Sequence, residues 1–200
     1  FLLALFSIGI GAGSLLCERL SGRKVEIGLV PFGSLGLTLF AVDLFFATRD
    51  MHAHELVDIA AFLRDPAHWR VVADLLLIGL FGGFYIVPLY ALIQERSDPA
   101  YRSRIIAANN ILNALFMVAS AGLAIVLLGE GLTIPMLFLT TGLLNAAVAL
   151  FIYKLVPEFL LRFLAWLLIH TMYRVEKHGL DHVPETGPCI VVCNHVSYVD

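Results

Sequence analysis

Long apolar stretches alternate with short polar connections along most of this sequence. Four of the stretches cover residues 27–48, 71–93, 105–128 and 132–155, and an uncharged fifth covers residues 1–16. A helix needs about 20 apolar residues to cross a hydrocarbon core of ~30 Å, so the four complete stretches are long enough to span a membrane. The pattern therefore predicts an all-α polytopic membrane bundle, with residues 1–16 as the remainder of a fifth span.

The composition agrees with a membrane protein and narrows the classes of function. Hydrophobic residues make up 60% of the chain and charged residues 14%, and the mean hydropathy is +0.88. Soluble globular domains have about 25% charged residues. The net charge of −3 and the lack of a basic–aromatic patch in the sequence argue against a nucleic-acid partner.

Positive charges are distributed unevenly between the connections. Ten of the thirteen Lys and Arg residues lie in the first and third connections or in the part of the chain from Lys154, at the end of the last span, onward, and the fourth connection has none. Lys and Arg are enriched in the cytoplasmic connections of membrane proteins. We therefore predict that the first and third connections and the C-terminal tail face the cytoplasm.

Polar side chains inside the predicted spans are costly and mark candidate functional positions. Asn109 and Asn113 share a helix face, so they can line a substrate path or hydrogen-bond to a neighbouring helix. Asp43, close to Thr48 at the end of its span, can couple an ion or contact a polar headgroup. An interfacial acid that reaches water is the favoured interpretation of Asp43, and it is favoured more strongly for Asp74.

Glycine spacing in two of the spans predicts close helix packing. Gly9 with Gly13, and Gly79 with Gly83, have the G-x-x-x-G spacing that lets two membrane helices approach closely. This spacing predicts packing rather than a binding site.

No metal site is predicted. His52 and His54 are two residues apart and would point to opposite faces of a helix, and the three cysteines lack the spacing of metal ligands. The segment 54–63 has a helical apolar pattern and is predicted to lie on the outer membrane surface. The apolar segment 157–173 is shorter than a span, so we predict an interfacial helix there.

The end of the sequence carries a histidine and an aspartate at a spacing suited to acid–base chemistry. Residues 194–200 read N-H-V-S-Y-V-D and follow an apolar run, residues 189–193, that predicts a buried strand. At a strand end, His195 can accept a proton from a hydroxyl, and Asp200 can orient the imidazole and stabilise its cation. The alternative is a satisfied histidine at the end of a strand.

This N-H-x4-D pattern resembles the first signature of the glycerophospholipid acyltransferases. The resemblance implies that His195 and Asp200 are catalytic and that His195 is the base for the hydroxyl of an incoming lysophospholipid. It also implies that residues 175–200 are the start of an α/β acyltransferase domain.

The connection after the first span carries a second signature. Residues 13–24 read G-S-L-L-C-E-R-L-S-G-R-K, in which a glycine can end the helix and basic residues hold the turn in the cytoplasm. The segment resembles the major facilitator superfamily signature G-x-L-x-D-R-x-G-R-K, with one residue more before the second glycine. Because four spans follow, the resemblance implies that residues 1–156 are the C-terminal helices of a facilitator fold. The alternative is an ordinary positively charged cytoplasmic turn.

Together the two signatures resemble a bacterial fusion of a lysophospholipid transporter with an acyltransferase, whose members often carry an acyl-acyl carrier protein synthetase further on. The resemblance implies a multi-pass protein of the bacterial inner membrane, an interfacial linker at residues 157–174 and a cytoplasmic acyltransferase part. The expected partners are membrane lipid, lysophospholipid and acyl carrier protein. Acyl-acyl carrier protein or acyl-CoA is the expected co-substrate, and no cofactor is expected.

Two alternatives stay open. The chain can be a facilitator for another small solute with an incidental tail, or an acyltransferase with a passive membrane anchor. The sequence begins inside an apolar run and ends on Asp200, so we expect it to be a segment of a longer protein. That segment is expected to be inactive as an acyltransferase by itself.

Overall fold

The computed structural model describes residues 1–21, 27–51 and 58–172, together with Pro184, Gly187, Ile190 and Val192. Within these residues every regular element is a helix. In chain order the helices are α1 (Leu2–Leu20), α2 (Leu29–Thr48), α3 (Ile59–Arg64), α4 (Ala67–Arg96), α5 (Arg102–Gly129), α6 (Ile134–Leu155) and α7 (Pro157–Met172). The chain divides into two compact units, Phe1–Trp166 and Leu167–Asp200.

The described helices confirm the predicted membrane bundle. Five of them, α1, α2, α4, α5 and α6, are long and apolar enough to cross a membrane. The longest is α4, whose 30 residues extend over about 45 Å at 1.5 Å per residue. This length exceeds the ~30 Å of the hydrocarbon core. The helix continues past its apolar stretch because polar residues such as Arg70 and Glu95 are compatible with helical backbone.

Helix α4 is the centre of the bundle, with α1 and α2 packed against it and α6 packed against α2. Gly9 and Gly13 of α1 and Gly79 and Gly83 of α4 lie at the interface of the two helices, as the G-x-x-x-G spacing predicted. A Cβ atom added to Gly83 would lie 2.7 Å from the Gly13 carbonyl carbon, and one added to Gly13 would overlap the Leu80 carbonyl group. The two backbones are therefore too close for any side chain at these positions.

The contact between α2 and α4 combines a glycine with a cluster of aromatic rings. A Cβ atom on Gly33 would lie 2.6 Å from the Tyr85 backbone nitrogen. The Phe32 ring lies 5.1 Å from the Phe81 ring and 5.4 Å from the Phe84 ring, measured between centroids. Rings at these separations and tilts attract each other edge to face.

Hydrogen bonds connect α2 to α6. The Asn145 side-chain amide donates to the Ser34 carbonyl oxygen at 2.9 Å and to the Thr38 hydroxyl at 2.8 Å. The Ser34 and Tyr153 hydroxyls are also hydrogen-bonded to each other. Because no water competes inside a membrane, such bonds between helices hold their register.

Helix α5 is the least packed of the five long helices. None of its residues is buried, and it makes only slight contact with α4 and α6. Large apolar side chains cover it, and Ile111, Met117 and Ile125 are each at least 70% exposed. Such a surface is compatible with lipid, whose tails are as apolar as these side chains.

Two shorter helices flank the spans. The Asp58 side chain caps α3 by accepting a hydrogen bond from the Ala61 backbone amide at 2.6 Å. This helix covers the second half of the segment predicted at residues 54–63, while His52 and His54 lie outside the described residues. Helix α7 begins at Pro157 and has 16 residues. Its interfacial position stays a prediction.

The strand predicted at residues 189–193 is not formed at the two of these positions that the structure describes. Ile190 and Val192 lie outside any regular element and are 93% and 89% exposed, so the buried strand is not shown there and stays a prediction. A strand needs a neighbouring strand to complete its hydrogen bonds. The described part of the chain provides none.

Candidate functional site

A groove with a volume of about 740 Å³ lies between α4 and α5. Its walls are mostly apolar and carry a few amide and hydroxyl groups. Lining residues from α4 are Tyr85, Ile86, Leu89, Tyr90, Leu92 and Ile93, and those from α5 are Asn109, Asn113, Phe116, Met117 and Ser120. Apolar walls with a small number of polar groups are typical of ligand-binding cavities.

The polar groups of the groove are organised around the Tyr90 hydroxyl. The Asn113 side-chain amide donates a hydrogen bond to this hydroxyl at 3.0 Å. The hydroxyl in turn donates to the Asn110 side-chain oxygen at 3.3 Å. The Asn109 amide also lines the groove, and no hydrogen bond to it is formed from the described residues. Asn109 therefore offers a donor and an acceptor to a ligand.

The structure brings Asn109 and Asn113 together on the groove side of α5, as their spacing predicted. Whether they lie on a transport path is a separate question of function and stays a prediction. The sequence pattern does not identify Tyr90 as a polar position, because a tyrosine inside an apolar stretch counts as hydrophobic. The signal that could have identified it is its phenolic hydroxyl, because a tyrosine hydroxyl inside a membrane usually forms a hydrogen bond with a neighbouring group.

None of the residues that line the groove carries a charged side chain. A charged group placed there would lose its hydration without gaining a counter-ion, which is unfavourable. Amide and hydroxyl groups instead suit ester and hydroxyl oxygens. The groove is therefore suited to an apolar chain that bears uncharged polar groups.

Asp43 lies apart from this groove, in an ion pair. The Arg70 guanidinium donates from Nε to the Asp43 Oδ2 atom at 2.9 Å and from a terminal nitrogen to Oδ1. Two parallel bonds of this kind fix both side chains. The Asp43 side chain is 35% exposed. It is not among the groove residues, so the structure does not bring it together with Asn109 and Asn113.

Asp74 differs from its prediction. We expected an interfacial acid that reaches water, but Asp74 is 2% exposed, and its Oδ2 atom has no hydrogen-bond partner among the described residues. The expectation was wrong because α4 begins at Ala67, which places Asp74 about 10 Å along the helix at 1.5 Å per residue. Hydropathy also could not show that this position faces α2.

The residues of the two sequence signatures are only partly described. His195 and Asp200 lie outside the described residues, as do Gly22, Arg23 and Lys24 of the first connection. Gly13 does not end its helix, because α1 continues to Leu20. Its function in the fold is the close contact with α4, which explains the glycine without reference to the signature.

The fold and the groove define a multi-pass helical membrane protein with a lipid-compatible surface, and its sequence is similar to a group of bacterial transporters. The lysophospholipid transporter LplT of Klebsiella pneumoniae is 33% identical over 127 residues, which are 62% of this chain and 32% of that protein. The proteins of the same name from Escherichia fergusonii and Serratia proteamaculans are 36% and 34% identical over 96 and 99 residues, each 48% of this chain. The chain thus spans about a third or less of the length of these curated relatives.

No family model matches the chain, and no solved structure matches it. The similarity to lysophospholipid transporters supports the transporter half of the sequence prediction. The relatives carry no acyltransferase in their names, so the acyltransferase half rests on residues 194–200 alone.

Proposed function

We propose that the protein transports lysophospholipid across the membrane and that the groove between α4 and α5 contacts the lipid. The observation that carries this proposal is the similarity to lysophospholipid transporters over 62% of the chain. The five apolar helices provide the membrane bundle that such transport needs.

The chemistry of the groove agrees with such a substrate. A lysophospholipid has one acyl chain, an ester, a free glycerol hydroxyl and a charged headgroup. The apolar walls accommodate the acyl chain, and the Asn109 amide and the Tyr90–Asn113 pair accommodate the ester and hydroxyl oxygens. The charged headgroup lies outside the groove, since no charged side chain lines it.

The transport proposal is tested with Asn109→Leu combined with Asn113→Leu in the full-length protein. Reconstituted into vesicles, this variant should move labelled lysophospholipid at least several-fold more slowly than the wild type. Thr141→Val is the matched control, because Thr141 is exposed and its hydroxyl bonds only to its own helix, at the Leu137 carbonyl. Wild-type flux in the double variant would show that the asparagines only connect helices.

We further propose that the full-length protein is also an acyltransferase of the cytoplasmic face of the bacterial inner membrane. His195 accepts the proton of the lysophospholipid hydroxyl while its oxygen attacks the thioester carbonyl of acyl-acyl carrier protein or acyl-CoA. The carbon–sulfur bond breaks, the ester forms, and the imidazolium returns the proton to the leaving thiolate. Asp200 holds the imidazole and stabilises its charged form. The support is the N-H-x4-D pattern of residues 194–200.

His195→Ala should abolish acylation of lysophospholipid by the full-length protein, and Asp200→Asn should slow it strongly while substrate still binds. Loss of the orienting carboxylate costs about 10⁴-fold in the serine-protease triad, and we expect a smaller effect here. Lysophospholipid transport should persist in both variants. Undiminished acyl transfer by His195→Ala would overturn the assignment of His195 as the catalytic base. Loss of lysophospholipid transport in the variant with Asn109→Leu and Asn113→Leu, with acyl transfer retained, would argue against the other alternative, an acyltransferase with a passive membrane anchor.

A further inference from the structure

Three ionisable side chains meet where α2 and α4 pack together, near Thr48. They are Asp43 from α2 and Arg70 and Asp74 from α4. Arg70 occupies both carboxylate oxygens of Asp43. With both acids ionised, two negative charges would share a single positive charge, and one negative charge would be left uncompensated.

Asp74 is the member of this trio without a compensating partner. It is 2% exposed, and its Oδ2 atom accepts no hydrogen bond from the described residues. Its carboxyl group is close enough to the Asp43 carboxyl group for the two acids to interact. Two ionised carboxylates are both acceptors and cannot hydrogen-bond to each other. The contact is favourable only when one of the two acids carries a proton.

No other described side chain supplies the missing positive charge. No side chain before Cys17 in α1 is ionisable, and no side chain before Tyr153 in α6 is ionisable. Helix α5 has no ionisable side chain in the half at this end of the bundle. Arg49, directly after α2, pairs with Asp50. Arg64, at the end of α3, forms no ion pair with Asp74, and the His68 ring is hydrogen-bonded to the Phe62 carbonyl oxygen at 2.9 Å. The charge on Asp74 is therefore compensated by Arg70 or by a proton.

We propose that Asp74 is a proton-binding site of this protein, with Asp43 as the hydrogen-bond acceptor and Arg70 as a counter-ion that can pass between the two acids. With the proton bound, the Asp74 hydroxyl donates to Asp43, and Arg70 stays on Asp43. When the proton leaves, its O–H bond breaks and the electron pair remains on Asp74. Arg70 then bridges both carboxylates or moves to Asp74. The proton reaches water past Asp43 and Arg70, whose side chains are 35% and 52% exposed.

A metal cation fits the trio less well than a proton. Hard cations bind several oxygen ligands at once, but both Asp43 oxygens already accept from Arg70. The guanidinium would also lie next to the cation and repel it. A proton needs only one free carboxylate oxygen and one acceptor, and Asp74 and Asp43 provide both.

The test is infrared difference spectroscopy of the full-length protein in lipid vesicles during a pH titration. Wild-type protein should show the carbonyl stretching band of a protonated carboxylic acid at neutral pH, with loss of the band in alkali. Asp74→Asn should lack that band. Asp50→Asn is the matched control and should keep it, because the Asp50 side chain is 85% exposed.

Two further measurements keep the proposal open to refutation. Asp43→Asn frees Arg70 to neutralise Asp74, so the band should be lost at neutral pH in that variant even if Asp74→Asn does not fold. The band should be unchanged when sodium replaces choline in the buffer. Absence of the band from the wild type, its persistence in Asp74→Asn or its removal by sodium would each overturn the proton site. None of these readouts depends on the identity of the transported substrate.

Discussion

The close contact between α1 and α4 gives the sharpest prediction about the fold. Gly13→Ala places a methyl group against the Leu80 carbonyl group, whose carbon is 2.8 Å from the added Cβ atom. Carbon atoms in favourable contact are about 3.5–4.0 Å apart, and the Leu80 carbonyl oxygen is closer still, so α1 and α4 must separate by at least about 1 Å. A gap of 0.5–1 Å forfeits roughly a quarter to a half of the attraction of each contact along the interface.

We therefore expect Gly13→Ala to destabilise the bundle by about 1–3 kcal/mol, the usual range for overpacking. Gly83→Ala should behave in the same way, because its Cβ atom would lie 2.7 Å from the Gly13 carbonyl carbon. The two costs are not additive, because the first methyl group already separates α1 from α4 and makes room for the second. The double variant should therefore lose less stability than the sum of the two single variants.

The chain offers a matched control on each helix. A Cβ atom on Gly11 meets nothing within 4 Å, and one on Gly82 meets only the Leu37 methyl group at 3.9 Å. Thermal unfolding of the full-length protein in detergent micelles, followed by circular dichroism, should leave Gly11→Ala and Gly82→Ala at or above the wild-type midpoint. Equal midpoints for Gly11→Ala and Gly13→Ala would refute the close approach of α1 and α4.

Two further predictions concern the α2–α6 contact and the topology. Asn145→Leu removes two hydrogen bonds between helices and should cost about 1 kcal/mol, at ~0.6 kcal/mol each. It should unfold at a lower temperature than Thr141→Val, and an equal midpoint would mean that the amide contributes nothing. Cysteines at Ser21 and Ser103 should be labelled only from the cytoplasm, and a cysteine at Ala53 only from outside. Labelling of the Ala53 and Ser103 cysteines from the same side would contradict the distribution of positive charge.

The spans were predictable from the sequence because crossing a hydrocarbon core requires length and hydropathy, and both are read along a single chain. The same analysis underestimated α4, which extends from Ala67 to Arg96. Hydropathy reports which residues lie in the apolar layer, whereas the helix continues wherever the backbone hydrogen bonds can continue. The glycine spacing was also readable from the sequence, although the pairing of Gly13 with Gly83 requires the packed bundle.

Side-chain partners were less predictable, because they depend on how each helix is rotated against its neighbours. Asp74 is near the end of its apolar stretch, and depth alone suggested contact with water. The rotation of α4 instead turns it toward α2 and buries it beside Asp43. Tyr90 was concealed for the opposite reason, since its ring contributes to hydropathy while its hydroxyl organises the groove.

The positions of the polar groups within the bundle bear on how a transporter of lipid could use them. The groove contains amides and a hydroxyl but no charged side chain, whereas the charged trio lies between α2 and α4, among residues that do not line the groove. A lipid in the groove therefore meets no ion pair that its own headgroup charge could disrupt. Binding or release of a proton at Asp74 therefore changes the charge of the trio without changing the charge of any side chain that lines the groove. Any coupling between the proton site and a lipid in the groove must then pass through movement of α4, the helix that contributes Asp74 to the trio and Tyr90 to the groove.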